Sequence, residues 1–346
     1  MIFSNANLDK LSLHFVGNPS TDDRFIPGTE MGELADELKE KLLPYYLHKF
    51  STVPERYKFH HASALKFNEV YSFASSIFED PSQFDQLSRE IAGHLFEKSV
   101  HPNIKAGELH IVYFTDCGYN NKMTEAIGIF KTENKAGFLE VTQSKTALGL
   151  KYKEGIDTNK IEKGCLIFNT AQRMGFEVLV IDKQSTREEA KYWVDEFLGL
   201  LQVNNEFSQT NEILSLAKNY ITNQLSEDFE ASRTDKIDLL NRSIDYFKTH
   251  ETFEKAEFEK EVFHHPEMIR SFQNFDSQYR QEKEVDIEDS FSISEQAVKK
   301  QSRIFKSVLK LDKNFHIYIH GNKDMIERGV DHDGRKYYKI YYENEN

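Results

Sequence analysis

The chain has 346 residues and a formal net charge of −13, with 39% hydrophobic and 13% aromatic residues. That length allows two domains, and 27 Phe with 16 Tyr exclude a disordered chain, which lacks aromatics to bury. A surface this acidic repels nucleic acid and anionic membrane, so either partner has to be met by a local basic patch.

Two cysteines, Cys117 and Cys165, are too few for a disulfide framework or a cysteine zinc site. Both fall in strand-like runs and read as buried free thiols, which fits a reduced, cytoplasmic compartment. MIFSNANLDKLSLHFVG has neither the basic n-region nor the continuous apolar stretch of a signal peptide. No apolar run approaches the ~20 residues of a membrane span. The expectation is a soluble intracellular protein with no membrane partner.

In chain order, alternation from Leu11 to Phe15 predicts a strand. Thr29 to Leu47 reads as a helix, with Leu34, Leu38, Leu42 and Tyr45 at helical spacing and Pro44 near its end. A second helix follows Asp80-Pro81, marked by Phe84, Leu87, Ile91, Leu95 and Phe96. Then the period changes. ELHIVYFTD, MTEAIGIFKT, GFLEVTQS, GCLIFNTA and GFEVLVIDK are short, β-branched and aromatic, with Gly and Asn between them. Most gaps are too short for crossover helices, so the sheet is expected to be largely antiparallel. STREEAKYWVDEFLGLLQV then reads as a helix with a Thr186/Glu189 capping box. Its core stripe is Ala190, Trp193, Val194, Phe197, Leu198 and Leu201.

From Ser208 to about Gln281 the chain reads as helical and strand-free. Residues 226 to 290 carry 18 acidic and 9 basic side chains, a net −9. The fold class expected is therefore α+β in two parts. Residues 1–203 form an α+β domain with an antiparallel sheet. Residues 204–346 form a helical layer followed by a basic helix and a C-terminal β-hairpin.

The basic segment opposes the rest of the chain. Residues 299 to 340 hold 11 Lys or Arg against 5 Asp or Glu, a net +6. Ser292 and Glu295 match a capping box, and a helix running onward places Lys299, Arg303, Lys306, Lys310 and Lys313 on one face. A competing reading makes VLKLDKNFHIYIH a hairpin turning at Asp312-Lys313-Asn314, so that the helix stops near Lys306. Asp333-Gly334 signals a tight hairpin in IERGVDHDGRKYYKIYY. Lys336 and Lys339 there interleave with Tyr337, Tyr338, Tyr341 and Tyr342. Aromatics beside cations stack bases, and they are also ordinary strand residues.

Motifs for chemistry are missing: there is no P-loop, GxGxxG, HExxH or GxSxG. His60-His61 and His264-His265 are adjacent pairs that point apart. His316, His320 and Asp331 form a conceivable metal set, but three or four converging ligands are required. Glu140 with Lys145, and Glu177 with Asp182 and Lys183, come nearest to a nuclease pattern without making one. No catalytic, cofactor or metal residue is assigned.

The order of segments resembles the bacterial 37-kDa nucleoid-associated protein family over nearly the whole chain. The segments are LSLHFV, ELHIVYFTD, EAIGIFKT, TALGLKYKEGIDTNKIEKGCLIF, FEVLVIDKQSTREEAKYWVDEFLG and VDIEDSFSISEQAV with the closing hairpin. The resemblance implies association with the nucleoid and DNA binding, and carries no active-site residues. The expectation is a non-enzymatic nucleoid protein that grips DNA non-specifically through Lys299, Arg303, Lys306, Lys310, Lys313, Lys336 and Lys339. The alternatives are an assembly protein reaching the nucleoid through a protein partner, and a metal-dependent enzyme on nucleic acid. A homodimer is expected, paired through the tyrosine-rich final strand.

Overall fold

The computed structural model describes residues 3, 5–119, 122–143, 147–182, 192–283, 285–302, 305, 308–311, 315–318 and 325–342. The chain is α+β and divides into two compact units, Met1–Val203 and Asn204–Asn346.

The first unit is built on β1 (Asn7–Val16), β2 (Phe25–Ile26), β3 (Tyr57–Phe59), β4 (Gly107–Tyr119), β5 (Lys122–Thr132), β8 (Lys163–Phe168), β9 (Glu177–Asp182) and β10 (Leu200–Gln202). They form one antiparallel sheet in the order β10-β3-β9-β8-β5-β4-β1-β2. Two more strands, β6 (Lys135–Gln143) and β7 (Leu148–Ile156), pair only with each other. The apolar runs of β4, β5, β8 and β9 are near-continuous because both faces of the sheet are covered. On one face Ile111, Tyr113, Ile129 and Cys165 pack with α2 (Glu69–Glu79), α3 (Phe84–Lys98) and Trp193. On the other, Val112, Phe114, Phe130 and Leu166 pack with Tyr45, Tyr46 and Phe50 from α1 (Asp36–Leu47) and the 3-10 turn after it. Cys117 and Cys165 are both buried and free.

Two expectations in this unit need correction. The first helix starts at Asp36, not Thr29. The residues before it run along β1 instead, with Met31 N–H donating to Leu11 O at 2.7 Å and a bridge from Ser12 to Glu30. The helix expected from Ser185 is described only as a π-helical turn, Tyr192–Phe197. Gly199 at φ +60 then ends it, and Leu200–Gln202 turns into edge strand β10, which exposes Leu201. Thr186, Glu189 and Ala190 lie outside the described residues. Helix α2 and strand β7 were not anticipated.

The second unit is mainly helical. Its helices are α4 (Glu206–Asn219), α5 (Leu225–Asp228), α6 (Arg233–Thr249), α7 (Lys255–Phe263), α8 (Pro266–Lys283) and α9 (Glu295–Ser302). Reciprocal capping boxes start α4 (Asn205 with Ser208) and α6 (Ser232 with Asp235), satisfying orphan amides at each N-terminus. Their apolar faces meet in an aromatic core of Tyr220, Phe247, Phe253, Phe258, Phe263 and Phe272. The stretch is not strand-free: β11 (Thr252–Glu254) pairs with β12 (Ser290–Ser292), burying Phe253 against Phe291. Two hairpins close the unit, β13 (Val308–Leu311) with β14 (Phe315–Tyr318) and β15 (Ile326–Val330) with β16 (Lys336–Ile340).

Candidate nucleic-acid interface

The basic segment is not one long helix. Ser292 lies in β12, so the cap is Ser294, whose hydroxyl meets the Ala297 N–H at 3.4 Å. Helix α9 ends at Ser302, and Val308 already pairs with Tyr318 in the hairpin. The five-cation helical face is thus corrected. The strand alternation of VLKL wins because it buries Leu311 and Ile317 against Ile237 of α6, a contact that no local helical pattern contains.

Lys299 is exposed on α9, opposite the buried Ala297, Val298 and Gln301, and the neighbouring Lys300 lies over the Phe207 ring at 5.3 Å. Lys310 has its backbone in β13, opposite His316, with its side chain outside the described residues. Arg303, Lys306 and Lys313 also lie outside them. In the last hairpin Val330 faces Lys336, Arg328 faces Tyr338, and Glu327 faces Lys339. Alternation therefore puts Lys336 and Arg328, both exposed, on the face that Ile326 and Tyr338 dock on Ile237, and Lys339 on the other. Lys339 sits 3.7 Å from Glu327 and 4.9 Å from the Tyr341 ring centre. Among the described residues no carboxylate is within ion-pair distance of Lys299 or Lys336. Tyr337, Tyr341 and Tyr342 are exposed, whereas Tyr338 packs on the Ile237 cluster.

The turn of this hairpin uses Asp331 structurally. Its carboxylate accepts the N–H groups of Asp333 (2.9 Å) and Arg335 (2.8 Å), and Gly334 takes φ +79. The other members of that conceivable metal set, the His316 side chain and His320, lie outside the described residues. The adjacent histidine pairs line separate clefts. His60 and His61 sit with Glu69 and Asp195, and His264 and His265 with Asp235 and Asp238.

Two charge clusters were not read from the sequence. In the first unit, register aligns Lys131, Lys163 and Asp182 across β5, β8 and β9. Lys163 Nζ is 2.8 Å from Asp182, and Lys131 Nζ is 3.3 Å from Glu133 and donates to Lys105 O at 2.6 Å. Burial pushes the Lys131 ammonium below its ordinary range, against the pull of Glu133. All four side chains are at most 8% exposed, and each ammonium has its carboxylate. Among the described residues the cluster is therefore a clamp on three strand ends, its two ammonium groups paired with buried carboxylates. Its sequence signal was a lysine in each of two core strands. Glu177, the other acid of that region, bonds Thr170 at 2.7 Å.

In the second unit, His250, Glu257 and Glu261 bring one ligand atom each within 4.8 Å of one another. The Tyr246 carbonyl accepts from His250 Nδ1 at 2.9 Å, which leaves Nε2 facing Glu261 at 3.9 Å. Both glutamates are exposed. Among the described residues this is the group with the spacing to hold a cation, and its chain signal is a Glu pair at i, i+4.

Residues 12–334 match the family described as nucleoid-associated protein YejK, which covers nearly the whole chain. The chain belongs to the nucleoid-associated protein YejK family. A search of curated proteins gave no match. Family membership associates the chain with the nucleoid, and the segregated charge of the YejK-family chain is the feature that bears on how it gets there. Among the described residues no helix is long and apolar enough to cross a membrane.

Proposed function

We propose that the chain acts at the nucleoid by binding duplex DNA directly and with little sequence preference. The contacts come from the cationic segment: Lys299, Arg303, Lys306, Lys310, Lys313, Lys336 and Lys339. The observation that carries the reading is charge segregation within a nucleoid-associated family: +6 over residues 299–340 in a chain of −13. Exposed Lys299 and Lys336 support it. Arg328 and Lys336 stay exposed beside Tyr338 and Ile326, which dock that face on Ile237, and the exposed arginine joins the proposed contacts. Lys339 shares its charge with Glu327 and contributes least. The role is one of binding, without a catalytic residue, in the cytoplasm at the nucleoid.

Phosphate contacts release condensed counterions, so affinity falls with salt. With about four of the proposed cations on phosphate at once, the slope of log K against log salt is near −3.6, ~0.9 per contact. The expected result, from fluorescence anisotropy on two unrelated duplexes, is weak binding with that slope and less than a tenfold preference between duplexes. Arg328→Glu with Lys336→Glu should lower the slope by about 1.8, and Lys339→Glu by less. Salt-insensitive binding would replace phosphate contact with base readout. No binding at any salt would mean that the chain reaches the nucleoid through a protein partner, a reading that the overall −13 favours.

A further inference from the structure

Strands β6 and β7 form a two-stranded arm outside the eight-stranded sheet. Its base is fastened by Lys135 to Glu108 at 2.8 Å and by Ile156 against the sheet's core. Beyond the base, the register pairs Leu139 with Tyr152, Val141 with Leu150, and Gln143 with Leu148. Strand alternation puts these six on one face. The five apolar ones are 62–74% exposed. The opposite face carries Phe138, Glu140, Thr142, Lys151 and Lys153, with a 2.8 Å ion pair between Lys153 and Glu140. The apolar stripe has a charge only at its base end, where Glu154 accepts from the Tyr152 hydroxyl at 3.2 Å, and none at its centre.

An isolated two-stranded hairpin is marginal in water, and single chains seldom leave a contiguous apolar patch of several hundred Å² bare. Five such side chains at two-thirds exposure present on the order of 500 Å². That is most of the ~800 Å² per partner in a standard interface. We propose that a second copy of this chain covers the stripe, packing its own β6–β7 face against it about a two-fold axis near Val141 and Leu150. A two-fold interface has to complement itself. A stripe with no charge at its centre does so, whereas any lysine or glutamate there would meet its own copy. The stripe is also balanced about Val141 and Leu150, so Leu148 of one chain meets the Leu139–Tyr152 pair of the other. A copy is available at equal stoichiometry whenever the chain is made, which suits a face that needs permanent cover. This places the dimer contact on the arm and not on the C-terminal tyrosine strand. It does not rest on DNA binding.

The test uses the full chain in DNA-free buffer. Light scattering at micromolar concentration should give twice the chain mass. Val141→Lys with Leu150→Lys should give the single-chain mass with an unchanged far-UV spectrum. Leu150→Cys adds an exposed thiol to a chain whose two native thiols are buried. Under mild oxidation it should yield a covalent dimer, which settles the matter even if the lysine variant fails to fold. A wild-type monomer would overturn the proposal and assign the stripe to a different protein. A lysine variant that stays dimeric, or a dimeric Leu150→Cys chain that never cross-links, would overturn it by placing the contact elsewhere.

Discussion

The two units bury charge in different ways. In the sheet unit two ion pairs have both members inside: Lys131 with Glu133 and Lys163 with Asp182, none more than 8% exposed. The same unit holds His14 and His110 in its interior. In the helical unit only the carboxylate is inside. Asp276 is 2% exposed, while its partners Lys255 (2.7 Å) and Arg280 (2.6 Å) remain 24% and 22% exposed. The sheet unit has two covered faces, so a buried lysine there needs a fixed counter-charge. Helices expose more of their flanks, and long cationic side chains can keep their heads wet. Buried charge in this protein therefore reports architecture, and its functional charge is sought at the surface.

Acid is expected to break the sheet unit first, and most strongly. Burial lowers both His14 and His110 to about 4, from about 6.5 when unfolded. Nearby Arg89 adds to the shift at His14. Nε2 of each ring makes no hydrogen bond among the described residues. Below pH 6.5 the unfolded chain takes up protons that the folded chain refuses. Stability then falls as pH drops from about 6.5 to about 4, and these groups cost nothing above that window. Two histidines give a slope of up to ~2.7 kcal/mol per pH unit, or about 3 kcal/mol between pH 6.5 and 5 and about 5 kcal/mol by pH 4. Urea unfolding at a series of pH values measures it, and a flat profile over that window would show that the rings are not neutral inside.

The next effect separates the two units directly. Lys163→Met keeps the volume but leaves the Asp182 carboxylate buried without its cation, at a cost of about 3–5 kcal/mol. Adding Asp182→Leu should recover most of the loss. Asp276→Ala removes the buried carboxylate from the helical unit but leaves two cations that reach water. The lost charged hydrogen bonds then cost about 1.5–3 kcal/mol. If denaturation shows Asp276→Ala to be the costlier change, the contrast between the units is wrong.

Much of the sheet was legible because a strand's signal is local. The runs from Glu108 to Asp182 announced themselves by β-branched composition and Gly or Asn turns, and Asp333-Gly334 announced the last hairpin. What escaped was decided by contacts distant in sequence. Residues 28–31 look like the first turn of a helix until β1 offers its edge. VLKL continues a helical charge stripe until Ile237 takes Leu311 and Ile317. Gly199 broke a stripe that hydrophobic spacing alone continued to Leu201. The candidate interface was legible as a charge excess but not as a geometry. Counting cations along 299–340 cannot say that Lys336 and Lys339 face opposite ways, or that Glu327 meets one of them. The lysine clamp was hidden for a related reason, since a lysine is read as surface unless its buried counter-charge, such as Asp182 on the strand beside Lys163, is known.

The smallest effect concerns two of the hairpins that lie outside the large sheet. β15–β16 packs Ile326 and Tyr338 on Ile237, whereas the β6–β7 arm offers Leu139, Val141, Leu150 and Tyr152 to water within a single chain. Changing an exposed side chain removes no packing, so Leu150→Lys should alter the unfolding free energy of the separated chain by no more than about 0.5 kcal/mol. Tyr338→Ala, which strips a docked ring, should cost more. Association adds a second dependence. A partner that binds only the folded chain stabilises it by mass action, so the wild-type midpoint should rise with protein concentration and the Leu150→Lys midpoint should not. Thermal unfolding at three concentrations reads both quantities together. A large loss for Leu150→Lys at the lowest concentration would mean that Leu150 is packed within its own chain. The apolar stripe would then be core, and the contrast between the hairpins would disappear.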